Sequence, residues 1–76
     1  MNKIRYYNYA NKRVLVAVFE ESFSSAIALA DFLDKQEFID VQEIKRVWNG
    51  KMSVTMEYQS GYLHKTKEFI KTLLAA

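Results

Sequence analysis

His64 is the one histidine of the chain and the residue best suited to acid–base chemistry. Glu68 follows four positions later, so on a helix its carboxylate could orient the imidazole for proton transfer. Lys67 and Lys71 share that helix face, and their ammonium groups could hold a phosphate. These four side chains form a minimal set for a small ribonuclease-type toxin. A solvated histidine in a basic helix explains them as well, and we favour that interpretation because one unsupported histidine specifies little.

Motifs for other chemistry are missing from the sequence. The chain has no cysteine, which excludes disulfides, cysteine-bound zinc and iron–sulfur clusters. Its two glycines, Gly50 and Gly61, fit no phosphate-binding loop, and no carboxylate spacing matches a calcium loop. We therefore predict a protein with no cofactor, no metal site and no catalytic activity.

The length and composition indicate one small α+β domain spanning residues 1–76. Half of the residues are apolar and 26% are charged, which is typical of a folded chain and not of a disordered one. The N-terminus has no apolar stretch of the signal-peptide kind. The longest apolar run, residues 14–19, is far shorter than the roughly 20 residues of a membrane span. We expect a cytoplasmic protein without a membrane partner.

The charges form blocks along the chain. Residues 1–19 contain four bases and no acid, residues 20–43 contain seven acids and one lysine, and residues 44–76 contain six bases and two acids. An acidic helix packed beside basic elements would explain this layout. A bipolar surface that steers a charged partner would explain it too.

The first two predicted elements are strands. Residues 3–9 are rich in tyrosine, residues 10–12 resemble a tight turn, and residues 13–19 form the most apolar segment. In this second strand three valines point to one side, and a leucine, an alanine and a phenylalanine point to the other. Both faces are apolar, so the strand is predicted to be central, and which face the helices cover stays open.

A first helix is predicted to begin at an N-cap, Ser22, and to run to about residue 37. The helical period places five side chains on one apolar face: Phe23, Ala26, Ile27, Ala30 and Leu33. Phe32 lies nearly opposite Phe23, among polar neighbours, and is predicted to be exposed.

Asn49-Gly50 separates two further strand-like segments, residues 39–48 and 51–58, and predicts a hairpin. The second of these alternates cleanly between apolar and polar residues, whereas the first does not. A two-residue loop would pair Val47 with Met52. A three-residue loop would align Ile44 with the apolar face, and a bulge near Glu43 would reconcile both patterns.

Ser60 is predicted to cap a last amphipathic helix over residues 61–74. The element order is then ββαββα. Without its first strand it resembles the beginning of a ferredoxin-like split β-α-β unit. The resemblance implies a four-stranded antiparallel sheet with both helices on one face and the first strand beside the second. The other face of the sheet would be uncovered.

An uncovered apolar face on so small a domain favours a binding role, so we predict a non-enzymatic regulatory protein that occupies the surface of a macromolecular partner. A protein partner is expected first, and a homodimer through the uncovered face is a further possibility. Nine residues are predicted to make the contacts, because aromatic and arginine side chains anchor interfaces. They are Tyr6, Tyr7, Tyr9, Phe32 and Trp48, with Arg5, Lys45, Arg46 and Lys51 at the rim.

The small size of the chain suggests one source for such a protein, and its aromatic and basic residues suggest an alternative function. Small domains without motifs often come from phages or mobile elements, so an inhibitor of host machinery of the anti-CRISPR kind is one expectation. The alternative is a nucleic-acid-binding module, because aromatic and basic residues interleave in residues 3–9 and 45–51. That pattern is similar to the sheets of RNA-recognition domains, with Lys65, Lys67 and Lys71 adding a basic helix. The glycine and aromatic signature of that family is absent.

Overall fold

The computed structural model describes residues 3–75, and it contains the six predicted elements in the predicted order. The strands and helices are β1 (Arg5–Tyr9), β2 (Val14–Glu20), α1 (Phe23–Asp34), β3 (Ile39–Arg46), β4 (Lys51–Tyr58) and α2 (Leu63–Ala75). Short 3₁₀ turns join β1 to β2 and β3 to β4. None of the described helices is both long and apolar enough to cross a membrane.

The four strands form one antiparallel sheet in the order β1-β2-β4-β3. Strands β2 and β3 therefore run in the same direction with β4 between them, and α1 makes the crossover that joins them. β1 pairs with the free edge of β2. This is the predicted ferredoxin-like layout, and the two helices contribute to a single core on one side of the sheet.

The face of β2 that the helices cover is the one carrying Leu15, Ala17 and Phe19, each fully buried. The apolar residues of β4 face the same way, as their alternation predicted, and Ile70 of α2 joins them in the core. The valines of β2 consequently lie on the other face. We call that second, helix-free side of the sheet the open face.

α1 begins where the sequence predicted. Ser22 has an extended backbone, and its Oγ accepts a hydrogen bond from the Ser25 N–H at 3.2 Å. The helix ends at Asp34, three residues earlier than predicted, and the Asp34 carboxylate accepts a hydrogen bond from the Val41 N–H at 3.0 Å. The earlier end is needed because the chain must turn back for Ile39 to enter the sheet.

The hairpin between β3 and β4 combines two of the three alternatives. Arg46 is opposite Met52, which is the register of a three-residue loop, and the ladder shifts between Val41 and Glu43 through a bulge. The strand predicted to reach residue 48 ends at Arg46, and the loop residues Asn49 and Gly50 have φ angles of 53° and 71°. Asparagine and glycine suit these left-handed conformations better than other residues.

The prediction that Ser60 caps α2 is wrong. Gly61 has a φ angle of 86°, which is outside the helical region, so the chain makes a turn there and the helix begins at Leu63. The Tyr62 N–H donates to the Gln59 oxygen at 3.0 Å within this turn. The Tyr62 ring stacks on Phe38, with ring centres 4.8 Å apart, which fixes the start of α2 against the residue that leads into β3.

Candidate functional site

The nine predicted contact residues do not form one surface. They separate into three regions of the fold and one half-buried position. Strand pairing and alternation place five of them on the open face: Arg5, Tyr7, Tyr9, Lys45 and Lys51. Arg46 and Trp48 lie at the β3–β4 hairpin, Phe32 lies on α1, and Tyr6 lies under α2.

The prediction that Tyr6 is a contact residue is not supported by its position, because Tyr6 does not lie on the open face. It is opposite Ala17 in the ladder, on the helix-covered side, where the small alanine leaves room for a ring. Its hydroxyl donates to the main-chain oxygen of Lys67 at 3.4 Å. Partial burial, assisted by the negative charge of Glu68, raises the pKa of the Tyr6 phenol. Tyr6 therefore holds α2 in place and is not available as a contact.

A second region forms where α1 begins beside the β3–β4 hairpin. The Arg46 guanidinium lies 5.4 Å from the centre of the Phe23 ring, and Trp48 follows two residues later in the loop. Ile27 lies one turn beyond Phe23 on α1. The exposed fractions are 42% for Phe23, 38% for Ile27 and 54% for Trp48. We call these four residues the hairpin corner.

Phe23 and Ile27 were not predicted as contact residues, because helical spacing placed them on the buried stripe of α1. The buried stripe is instead Ala26, Leu29, Ala30 and Leu33. Both sets satisfy helical spacing, so periodicity alone does not choose between them. Ala26 and Ala30 indicate which stripe is buried, because a helix approaches a sheet most closely where its side chains are small. Centring the stripe on the alanines and Leu29 leaves Phe23 and Ile27 at its margin.

Phe32 is exposed, as predicted, with 54% of its side chain accessible. It forms one wall of a groove of about 470 Å³ between the two helices, and Leu29 and Leu73 also line this groove. The Lys35 ammonium lies 5.6 Å from the centre of the Phe32 ring. Phe32 thus belongs to the outer side of the helical layer, away from the open face.

The open face carries charges of both signs beside its apolar residues. Val14 and Val16 are half-buried, and Tyr7 and Tyr9 on the neighbouring strand are exposed, whereas Val18 and its partner Ser53 on β4 are buried. Seven charged residues point to this side, namely Arg5, Lys45, Lys51, Glu20, Asp40, Glu43 and Glu57. Three are bases and four are acids, so the face is close to neutral and does not form a basic surface of the kind that binds phosphates.

The structure does not bring together the four side chains considered for proton transfer and phosphate binding, namely His64, Glu68, Lys67 and Lys71. His64 Nε2 lies 3.9 Å from the Glu68 carboxylate, as the spacing predicted, but the imidazole is 89% exposed. The Lys67 ammonium lies 5.3 Å over the Tyr6 ring and not beside the histidine. Lys65 of the predicted basic helix face likewise lies over the stacked rings of Phe38 and Tyr62.

Within residues 3–75, no group of three histidine or acidic side chains is placed to hold a metal ion.

Comparisons of the chain with protein-family models, with curated proteins and with solved structures found no match.

Proposed function

We propose that this chain is a small binding protein without a catalytic role, which acts by covering part of a protein partner's surface with the hairpin corner. The observation that carries the proposal is the exposure of Phe23 and Ile27, one helical turn apart and beside Arg46, together with exposed Trp48 in the adjoining loop. Three of the six large apolar side chains that are exposed among the described residues belong to this corner. Contiguous exposed apolar surface on a small domain is typical of an interaction site.

The residue types in the corner support a protein partner. Tryptophan and arginine are the residues most often found to dominate binding energy at protein interfaces. Arg46 is already held over the Phe23 ring at 5.4 Å, so less side-chain entropy is lost when a partner covers it. The hairpin loop and the first turns of α1 are both part of the folded frame, which makes the corner a preformed surface.

Electrostatics favour a protein over a nucleic acid. Sequence-independent binding to nucleic acids requires several cations that can each neutralise a phosphate. Lys65 and Lys67 of α2 lie over aromatic rings of the protein itself, and the open face has more acids than bases. The proposal retains the expectation of a cytoplasmic inhibitor from a phage or mobile element, of the anti-CRISPR kind, which rests on size and composition alone.

Site-specific photo-crosslinking tests the proposal. A photoreactive amino acid at position 48, in cells that produce the chain, is expected to form an adduct with one protein. The adduct should be lost with Phe23→Ser, because this substitution removes the apolar neighbour of Arg46. Phe32→Ser is the matched control, since it removes an equally large exposed ring from another part of α1 and should leave the adduct unchanged.

A different binding surface, or a nucleic-acid partner, would give different results in these experiments. The same photoreactive residue at position 71, on the exposed outer side of α2, should not capture that protein. Equal capture at both positions, or an adduct that survives Phe23→Ser in a folded variant, would refute the assignment of the corner. Trp48 is the one tryptophan of the chain, so its fluorescence also reports binding of single-stranded RNA. A strong, salt-sensitive change on adding RNA would support the nucleic-acid alternative.

A further inference from the structure

The charges on the open face are separated along the strand direction. One row across the sheet begins with Arg5 on β1 and ends with Lys45 on β3, with the buried Val18 and Ser53 between them. The row at the other end begins with Tyr9 and ends with Asp40. The face therefore has a basic end and an acidic end. The exposed Tyr9 and the half-buried Val14 lie at the acidic end, whereas Val18 at the basic end is already buried within one chain.

The row between these two ends is mostly uncharged. Strand pairing aligns Tyr7, Val16, Thr55 and Glu43 across the four strands. Tyr7 is exposed, and Val16 and Thr55 are half-buried. The one charge in this row, Glu43, has its carboxylate 4.0 Å from the Lys45 ammonium, which partly neutralises it. A twofold axis along this middle row would exchange the basic and acidic ends of the face.

We propose that the open face binds a second copy of this chain, with the twofold axis along the middle row. Lys45 of each copy then faces Asp40 of the other, and Arg5 faces the ring of Tyr9. All four residues of the middle row, Glu43 included, meet their own counterparts at the axis, and the Lys45 ammonium beside each Glu43 offsets the repulsion between the two carboxylates. The two ion pairs and two cation–aromatic contacts follow from the symmetry, because an isologous interface repeats each contact twice.

The size of the face is compatible with such an interface. Four strands at a spacing of about 4.8 Å and a seven-residue β2 give a plane of about 19 by 23 Å. This plane is smaller than the about 800 Å² per partner of a standard protein interface, so the contact is expected at the small end of the range for dimers. Two sheets packed face to face also place strand directions within about 30° of each other, which keeps the paired rows in register.

A second copy fits this face better than a nucleic acid does. The face carries three bases and four acids, which gives phosphates no net attraction. A domain of this size without disulfides gains stability from burying a half-apolar sheet face. This inference does not rest on the hairpin corner, whose side chains lie on the covered side of the sheet or in the loop.

Reversing the charge of Lys45 or of Asp40 tests the proposed contact between the two copies. The wild-type protein is expected to elute with the mass of two chains of 8.9 kDa in light scattering. Lys45→Glu and Asp40→Lys should each give monomers, because each places like charges opposite one another twice in the dimer. An equimolar mixture of the two variants should restore a dimer, because both contacts in the mixed pair are again between opposite charges. Both residues are exposed, so folding of each variant can be checked by circular dichroism and thermal unfolding.

Lys71→Glu is the matched control, since it changes the net charge equally but lies on the outer side of α2, and it should remain a dimer. A wild-type monomer at every concentration would overturn the inference. Folded single variants that are still dimeric would also overturn it, because the interface would then lie elsewhere. A mixture that stays monomeric would refute the proposed symmetry. The crosslink at position 48 is measured separately, so failure of the dimer leaves the hairpin corner unaffected.

Discussion

The Tyr6 hydroxyl donates a hydrogen bond to the main-chain oxygen of Lys67 at 3.4 Å, and the Lys67 ammonium lies 5.3 Å over the Tyr6 ring. These two contacts join edge strand β1 to helix α2 across 61 residues of sequence. The side chain that carries them is half-buried and sits beside the Glu68 charge, so its phenol resists ionisation. We therefore expect the link between β1 and α2 to weaken at alkaline pH.

Alkaline pH is expected to lower the free energy of unfolding through Tyr6. The folded protein raises the Tyr6 pKa above the ordinary value of 10.0, first by burial and then by the Glu68 charge. The folded state thus holds this proton more tightly than the unfolded chain. Its contribution is complete below pH 10.0 and is lost as the pH rises through the folded-state pKa. Urea unfolding of the wild type and Tyr6→Phe below and above this pH measures the effect. Equal losses in both proteins would contradict it.

Phe32→Ser is expected to change the free energy of unfolding by no more than about 0.5 kcal/mol, because Phe32 is an exposed residue. The neighbouring Leu33 is fully buried, and Leu33→Ala should cost about 2–5 kcal/mol. Chemical denaturation of the two variants gives the comparison. Similar losses in both would mean that Phe32 packs into the groove between the helices and belongs to the core.

Ser53 and Ser22 should respond in opposite directions to substitution by alanine. Ser53 Oγ is buried and has no hydrogen-bond partner among the described residues, so Ser53→Ala should be neutral or stabilise the protein by about 1 kcal/mol. Ser22→Ala removes the N-cap of α1 and should destabilise it by about 1 kcal/mol. Thermal unfolding resolves the difference. A destabilising Ser53→Ala would show that its hydroxyl is satisfied in solution.

Deletion of Gln42 is expected to preserve the fold. This residue is the extra one in the β3 bulge, so removing it leaves Val41 and Ile44 facing the helices and Glu43 facing away. Deletion of Lys45 shortens the same strand equally but reverses its faces before that point. It should therefore cost about 1.5–3 kcal/mol for each apolar side chain moved to solvent. Cooperative unfolding of the first variant only would confirm the register, and two equally damaged variants would refute it.

The elements and their order follow from the sequence because their signals are local. The alternation of β4, the Asn49-Gly50 turn and the Ser22 cap each depend on a few neighbouring residues. The bulge near Glu43 could be anticipated because β3 lacks a single apolar phase. Such patterns are fixed by main-chain geometry and do not require knowledge of what packs above them.

The candidate sites were harder to predict because they depend on which face is covered. β2 is apolar on both sides, so its sequence does not show that Leu15 faces the helices and Val16 does not. Which of Tyr6 and Tyr7 faces the helices depends on that choice through strand pairing. The rotation of α1 about its axis similarly depends on how closely its alanines pack against the sheet. Because this packing buries Ala26 and Ala30, Phe23 lies at the surface and not in the predicted core.

The bulge in β3 also bears on how the protein behaves when it is concentrated. β3 is the longer of the two edge strands, with eight residues against five in β1, and an unbroken edge would offer a continuous template to strands of other chains. Gln42 interrupts the ladder near its middle and increases the local twist, so no long straight run of main-chain donors and acceptors remains. The consequence is protection against fibril growth at that edge.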